Sequence, residues 1–379
     1  MRLLSLLLYF AQVVVFLHRP ASAYEVDNFT DSDIALEDSR EQLNAEVERR
    51  LEKSIAEANS KMNGFFRSIR CDDSPAKDAR VQLFKSLSSQ FSSGYIIRGG
   101  MEDYAEQELT QGPRRYLQKI ENQRSVYRGS ESKILNNIEL ASVIQINGVR
   151  LGTDKLGHFF KEGFTYYDGR RQGTLELVRR TGSNMEKTFT GRGSTGVLSF
   201  ADLAANYDGF RFWSRVLGEG ISPCSSAGAA AGAKVYSMAK ELAASQSSPG
   251  QISTSTKRDE PYICCQDGRF QRNPRVAFDF ADYVSNAWDE SSNCNRYSEE
   301  LAGVVAENMK NVNLSKSRPQ AMSCPRAGAD SCKGLIRRYG GHAIAIHILH
   351  DGCICQDDPS YKACQPSSNH SAAPSSVNK

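Results

Sequence analysis

The segment VIQINGVRLGTDKLGHFFKEG, residues 143–163, contains the two signals on which the fold prediction depends. Its first half places the short apolar-rich runs VIQI and VRL on either side of Asn147-Gly148. This dipeptide accepts the positive φ angles of a two-residue hairpin turn. In the second half, Thr153 is a good N-cap for a helix over Asp154–Tyr167. The segment therefore predicts one small β-hairpin that leads directly into a helix.

Outside this segment the pattern is mainly helical. Within a charged stretch from Asp31 to about Asn59, apolar residues recur every fourth position, which predicts an amphipathic helix with one narrow apolar stripe. The stripe residues are Leu43, Val47, Leu51 and Ile55. Further helices are predicted over Ser74–Phe91, Tyr104–Glu121 with a break at Gly112-Pro113, Ser199–Leu217 and Ser225–Ala244. The expected fold class is mainly α, with a helical domain containing one small β-hairpin and a disulfide-rich C-terminal unit.

The N-terminal residues predict export. A charged start is followed by an apolar run over Leu3–Leu17 and by the small-residue site Ala21-Ser-Ala23. The run is shorter than the ~20 apolar residues of a spanning helix, so a cleaved signal peptide over residues 1–23 is favoured over an uncleaved anchor. We expect an extracytoplasmic protein, periplasmic or secreted, that is not an integral membrane protein after cleavage.

The ten cysteines divide the chain. Two lie before residue 245 and eight after residue 258, and in an oxidising compartment this even set predicts up to five disulfides. We predict a helical domain over 24–244, a linker or exposed loop over 245–258, a Cys-rich unit over 259–365 and a disordered tail over 366–379. A Cys71–Cys224 bridge is one way to close the helical domain, and adjacent Cys264 and Cys265 are expected to bond to different partners.

Net charge and motif absences exclude several classes of function. The 47 basic and 44 acidic residues leave a chain of almost no net charge, which argues against a nucleic-acid partner. Zinc ligation by Cys353-x-Cys355 with the neighbouring histidines is disfavoured by spacing and by export. We therefore assign no metal and no cofactor. The sequence contains no phosphate-binding loop, dinucleotide fingerprint, His-Glu-x-x-His motif or Gly-x-Ser-x-Gly elbow.

The first candidate site lies in the helix after the hairpin. Asp154, His158 and Glu162 are spaced four residues apart and therefore form one row on a regular helix, opposite its apolar stripe. This row is either a solvated face with helical ion pairs or the wall of a cleft. A carboxylate beside an imidazole fixes its tautomer and supports acid–base chemistry. Gly157 and Gly163 reduce helix propensity, which suggests close approach of another backbone or a ligand.

The second candidate site lies in the helix predicted from Ser199. Ser199 and Asp202 have capping-box spacing, which by itself accounts for both residues. Alternatively, the Asp202 carboxylate contributes to catalysis. Asn206, Trp213 and the neighbouring Tyr207 are then candidates for substrate binding, because an amide and an aromatic ring suit a sugar. Core packing is the competing interpretation for Trp213.

Paired carboxylates are the groups used in glycoside hydrolysis, where one protonates the leaving oxygen and the other serves as base or nucleophile. The candidates are Asp154, Glu162 and Asp202, with Glu139 in addition. We therefore nominate His158, Asp154, Glu162 and Asp202 as catalytic residues. Their convergence depends on the two predicted helices facing each other.

Two short motifs carry a resemblance to known proteins. TDKLGHF at 153–159, followed by ADLAANYDG at 201–209 and Phe212-Trp213, resembles a group of uncharacterised exported bacterial proteins. The Asp-Lys-x-x-His-Phe core is similar to a motif of VanZ-like envelope proteins, although this chain lacks their membrane helices. The resemblance implies an association with the bacterial cell envelope and a shared role for Asp154 and His158.

Together these observations predict an exported hydrolase that uses carboxylate and histidine acid–base chemistry on an extracytoplasmic polymer, such as cell-envelope glycan. The alternative is a non-catalytic, disulfide-stapled secreted protein with a binding or structural role. The pattern specifies no oligomeric state.

Overall fold

The computed structural model describes residues 25–63, 69–73, 77–91, 100–111, 113–130, 140–172, 195–218, 221–224, 260–312, 329–361 and 364. The predicted signal peptide, the linker at 245–258, the tail at 366–379, the helix at 225–244 and Glu139 lie outside these residues. The described part of the chain is mainly α-helical with small antiparallel strand pairs.

The elements follow one another in chain order. The helices are α1 Arg40–Met62, α2 Lys77–Phe91, α3 Met101–Glu108, α4 Asp154–Gly157, α5 Gly163–Gln172, α6 Phe200–Leu217, α7 Glu299–Asn311, α8 Ala329–Arg338, α9 His342–Ile348 and α10 Asp351–Asp357. A π-helix, His158–Glu162, joins α4 to α5, and two 3-10 turns cover Phe280–Asp282 and Asn286–Trp288. The strands are β1 Leu117–Gln118, β2 Val143–Ile146, β3 Val149–Gly152, β4 Val197–Leu198, β5 Ile263–Gln266, β6 Arg269–Arg272 and β7 Arg296–Tyr297.

The predicted hairpin is confirmed. Strands β2 and β3 pair antiparallel from Ile146 opposite Val149 to Val143 opposite Gly152. The turn residues Asn147 and Gly148 have φ angles of 53° and 75°, as a two-residue turn of this kind requires. Strand β1 pairs with β2, so the hairpin becomes part of a three-stranded sheet.

The predicted amphipathic helix is confirmed with a later start. Helix α1 begins at Arg40, and its whole predicted stripe of Leu43, Val47, Leu51 and Ile55 is buried. The helix predicted over Tyr104–Glu121 is shorter than expected. It ends at Glu108 as α3, and the chain beyond Gly112-Pro113 forms strand β1 instead, because this pair cannot continue a helix.

The helix after the hairpin is not regular. One turn of α-helix is followed by the π-helix and then by α5, which packs on α6. The predicted close approach of a backbone is found at Gly163, where an added Cβ would lie 2.6 Å from the Gly209 Cα. The two helices therefore touch backbone to backbone, which brings the two candidate motifs together.

The chain on either side of the predicted linker builds one core. A single hydrophobic cluster includes Leu43 of α1, Trp213 of α6, and Phe278 and Trp288 from beyond residue 259. Strand β4 also pairs with β7 across the same boundary. In the described residues the Cys-rich segment is therefore integrated with the helical one.

The disulfides correct one expectation and confirm another. Cys71 bonds to Cys265 and Cys224 bonds to Cys264, so the Cys71–Cys224 bridge is wrong and the adjacent cysteines do take different partners. The remaining disulfides between described residues are Cys332–Cys353 and Cys355–Cys364. The Cys353-x-Cys355 thiols are thus not free for zinc.

No helix among the described residues has both the length and the apolar character needed to cross a bilayer.

Candidate active site

A fully buried lysine lies at the centre of the candidate site. Lys155 has no exposed surface, and its Nζ lies 2.6 Å from Asp154 Oδ2, 2.5 Å from Asp202 Oδ1 and 2.7 Å from Glu290 Oε1. The Asp154 and Glu290 contacts are hydrogen bonds, whereas the Asp202 contact is an ion pair without hydrogen-bond geometry. Three carboxylates from separate parts of the chain thus share one ammonium group.

Local structure explains how the groups meet. The hairpin ends at Gly152, and α4 begins at Asp154, so Asp154 and Lys155 lie in the first helical turn. Thr153 is at the predicted N-cap position, but its hydroxyl donates a hydrogen bond to Glu106 and does not cap the helix. The Ser199 Oγ accepts a hydrogen bond from the Asp202 backbone N–H at 3.1 Å, which begins α6. The predicted N-cap is confirmed, but the Asp202 carboxylate points to Lys155 and His158 instead of completing a capping box.

His158 is the most accessible member of the cluster. Its Nε2 lies 3.2 Å from Asp202 Oδ2 and its Nδ1 lies 3.0 Å from Asn206 Oδ1. The side chain is 21% exposed, compared with 5% for Asp154 and 11% for Asp202. The imidazole is therefore the part of the cluster that solvent reaches most easily, with the carboxylates behind it.

Burial and charge move the pKa values of the cluster in opposite directions. Burial alone would raise the pKa of Asp202, but the charges of His158 and Lys155 hold it below its ordinary value. Burial raises the pKa of Asp154. Burial also raises the pKa of Glu290 to about 7, against the opposing effect of Lys155. Pairs of acids with separated pKa values are typical of acid–base sites.

A fourth carboxyl group lies on the α3 side of the site. The Glu102 Oε2 approaches Gly157 so closely that a Cβ there would lie 2.6 Å away. Burial and the charge of Asp154 raise the pKa of Glu102 to about 8. The absence of a side chain at Gly157 thus makes room for a carboxyl group next to His158.

Three predicted site residues do not take their predicted place. Glu162 belongs to the π-helix and is not part of the cluster of Asp154, His158 and Asp202, and it pairs with Lys161 at 3.7 Å. Trp213 is completely buried and donates its indole N–H to the Phe160 carbonyl, so it is a core residue. Tyr207 is 6% exposed and packs against Phe210 and Tyr339. The structure thus contradicts the substrate-binding roles of Trp213 and Tyr207.

Asn206 has a different role from the predicted one. It is 2% exposed and contacts the imidazole of His158, so it orients His158 and does not present its amide to a substrate. The row of Asp154 and His158 is also not a solvated face, because Asp154 is buried. Asp154 instead faces the interior, where it contacts Lys155.

Sequence reasoning missed Lys155, Glu290, Glu102 and Glu25. Glu25 is buried near this network and accepts a hydrogen bond from the Thr195 hydroxyl. Burial and the charge of Glu290 raise the pKa of Glu25 well above its ordinary value. The one local feature that points to the burial of Lys155 is its position between Asp154 and the apolar Leu156. Glu290 carried no local signal, since it lies 135 residues away from Lys155 along the chain.

The cluster has the composition of a cation site. Asp154, His158 and Asp202 each offer a ligand atom, and these atoms lie within 4.8 Å of one another. Carboxylate oxygen and imidazole nitrogen are ordinary ligands of divalent metals in proteins.

No protein-family model, curated protein or solved structure matches this chain significantly.

Proposed function

We propose that this protein is an exported hydrolase that acts on an extracytoplasmic polymer, such as cell-envelope glycan. The observation that carries the proposal is the convergence of Asp154, His158 and Asp202 within 4.8 Å around a partly exposed imidazole. The disulfides are compatible with the extracytoplasmic location.

The geometry supports a division of roles. With Asp202 on one ring nitrogen and Asn206 on the other, both His158 nitrogens face oxygen acceptors, which suits the protonated imidazolium. The proton on His158 Nε2, which lies between the ring and Asp202 Oδ2, passes to the leaving oxygen of the substrate, and until then Asp202 stabilises the imidazolium. A water attacks the substrate carbon and gives its proton to the Asp154 carboxylate, whose Oδ1 accepts no hydrogen bond. Lys155 keeps both carboxylates in place.

The two carboxylates of the cluster lie close together. Asp154 Oδ2 and Asp202 Oδ1 both contact Lys155 Nζ, at 2.6 and 2.5 Å, so these oxygens are at most about 5 Å apart. Because Trp213 is buried, stacking of a sugar on this ring is not part of the proposal.

The test compares turnover by the purified mature protein and its His158→Gln and Asp154→Asn variants on peptidoglycan and on simple glycans. We expect each variant to lose about 10²–10⁴-fold in kcat, the usual contribution of a positioned acid or base. His342→Gln is the matched control, because His342 also pairs with a carboxylate, Asp357, at 2.8 Å and lies in α9. Its turnover should remain that of the wild type.

Circular dichroism first establishes that each variant is folded. Unchanged turnover in folded His158→Gln and Asp154→Asn removes these residues from the mechanism. Absence of turnover by the wild-type protein, together with glycan binding that the variants do not alter, supports the non-catalytic binding or structural role instead.

A further inference from the structure

We propose that Asp154, His158 and Asp202 bind one divalent transition-metal ion, with Zn²⁺ and Mn²⁺ as the ions of matching chemistry. The three ligand atoms already lie within 4.8 Å of one another. The inference goes beyond the proposed function, because a hydrolase and a non-catalytic protein can both hold such an ion.

The orientation of His158 is that of a metal ligand. Metal-binding histidines usually donate the second ring N–H to an oxygen acceptor, which fixes the tautomer and aims the other nitrogen at the metal. Here the Nδ1 faces Asn206 Oδ1 at 3.0 Å, and the Nε2 faces the Asp202 Oδ2 at 3.2 Å. In the imidazolium a proton lies in this 3.2 Å gap, whereas in the neutral tautomer with Nδ1–H the two lone pairs face and repel each other there. A positive ion shared by the two groups relieves that repulsion.

The Asp154 carboxylate has unused coordination capacity. Its Oδ1 is buried and has no hydrogen-bond donor among the described residues, whereas the Asp202 Oδ1 contacts the Lys155 ammonium at 2.5 Å. Asp154 is only 4% exposed, so bulk water does not reach this oxygen. Buried acceptors without a partner are costly, and metal coordination is one of the ways in which proteins satisfy them.

The charges in the interior also favour a divalent ion. Around the Lys155 ammonium lie Asp154, Asp202 and Glu290, all of them buried. Three carboxylates against one ammonium leave two negative charges uncompensated when all are ionised. Buried charge must be paired or neutralised, and a divalent cation ligated by neutral His158 supplies this compensation. Lys155 contacts Asp154 through Oδ2 and Asp202 through Oδ1, so each carboxylate keeps a second oxygen that Lys155 does not contact.

The mixed donor set selects the kind of ion. Magnesium and calcium prefer sites made entirely of oxygen atoms, whereas imidazole nitrogen suits first-row transition metals. Two carboxylates and one imidazole also leave a position for water, as catalytic zinc sites do. A bound ion would supply a Lewis acid for the hydrolysis proposed above, and Asp154, His158 and Asp202 would then hold the ion instead of transferring protons.

Titration calorimetry on the full mature protein, first treated with EDTA and dialysed, tests the binding of Mn²⁺ and Zn²⁺ separately. We expect one ion per chain, with Mg²⁺ and Ca²⁺ binding at least ten-fold more weakly. No binding of either transition metal at 1:1 stoichiometry, or equally tight binding of Ca²⁺, overturns the proposal.

Substitutions measure how much each residue contributes to the affinity for the metal ion. We expect Asn206→Ala to weaken binding about 10–100-fold, as loss of an outer hydrogen bond to a ligand does. His158→Gln and Asp202→Asn remove ligands and should weaken binding more than Asn206→Ala does. His342→Gln keeps the wild-type affinity, because the His342–Asp357 pair lies outside the cluster. Wild-type affinity in folded His158→Gln overturns the assignment of ligands.

A measurement on the wild-type protein avoids dependence on variant folding. Crystals soaked in MnCl₂ should show anomalous density about 2.0–2.2 Å from a His158 nitrogen and the carboxylate oxygens of Asp154 and Asp202. Density only at other positions overturns the proposal. If the protein binds the metal but shows no turnover, the metal site stands and the hydrolase proposal fails. If turnover resists EDTA and no metal is bound, the hydrolase proposal stands and the metal site fails.

Discussion

Lys155 is a charged residue in a completely buried environment. Lysine is almost never fully buried unless paired, yet Lys155 has no exposed surface and contacts three carboxylates. Burial alone would lower the pKa of Lys155, but the surrounding carboxylates raise it well above its ordinary value. Lys155 therefore carries its charge in the interior, and this charge makes the burial of Asp154, Asp202 and Glu290 possible.

The substitution Lys155→Met should destabilise the protein by about 3–5 kcal/mol, since removal of one partner leaves buried carboxylates uncompensated. Urea unfolding at pH 7 measures this change. Lys161→Met is the control six residues further on, because Lys161 is 35% exposed and its contact with Glu162 is long, at 3.7 Å. We expect less than about 1 kcal/mol there. Equal effects of the two substitutions contradict the central role of Lys155.

At the level of single residues, the sequence alone indicates about half of the residues in the site. Asp154, His158 and Asp202 were identifiable because they lie in two short motifs with helical spacing. Lys155 and Glu290 were missed for a physical reason. A lysine next to an aspartate on a helix is ordinarily solvated, and only the tertiary contact with Glu290, 135 residues away, explains its burial. The burial of Trp213 depends likewise on neighbours that are distant in the sequence.

The elements that hold the site are one predicted hairpin and two crossing helices. The Asn147-Gly148 turn and the apolar stripe of α1 follow from local rules, and both were predictable. The π-helix at His158–Glu162 was not, since a regular period of 3.6 residues was assumed through this segment. Glu162, the last residue of the π-helix, is not part of the cluster of Asp154, His158 and Asp202. Such bulges often occur at functional sites.

The crossing of α5 and α6 depends on glycines, which a substitution can test. An added Cβ at Gly209 would lie 1.9 Å from the Phe159 carbonyl oxygen, so Gly209→Ala must push the π-helix away from α6. We expect a loss of about 3 kcal/mol or more in the free energy of unfolding. Gly303→Ala in α7 is the matched control, because no atom lies within 4 Å of its added Cβ. Alanine there should stabilise the helix by up to about 1 kcal/mol.

Thermal and urea unfolding of both glycine variants provide the measurement. If Gly209→Ala is as stable as the wild type, the two helices do not pack backbone to backbone. If both variants lose similar stability, the effect belongs to alanine in general and not to this crossing.

On the scale of the whole molecule, the parts of the chain before and after the predicted linker depend on each other. The Cys71–Cys265 and Cys224–Cys264 disulfides and the β4–β7 pair connect them, and Glu290 completes the charge network around Lys155. The cysteine distribution suggested a separate C-terminal unit because spacing alone does not reveal which cysteines pair. The site therefore requires residues from both sides of the predicted linker.

His350 makes one of several contacts between the C-terminal helices and this core, and its burial predicts a pH dependence of stability. Its Nδ1 accepts a hydrogen bond from the Gly352 N–H at the start of α10, and its ring packs edge-on against Phe200 of α6. Burial and the nearby Arg296 charge lower the pKa of His350 from 6.5 to about 4. Between these values the unfolded chain binds a proton that the folded chain does not. The corresponding stability is therefore complete above pH 6.5 and is lost as the pH falls through 4.

The substitution His350→Asn separates this effect from other acid titrations. Asparagine keeps a side-chain oxygen that can cap α10 but does not titrate. Between pH 7 and pH 4, we expect the wild-type protein to lose on the order of 2 kcal/mol more stability than the variant. Urea unfolding at pH 7, 5.5 and 4 measures both proteins under identical salt. Parallel stability profiles would show that the protonation of His350 does not weaken the attachment of α10 to the core.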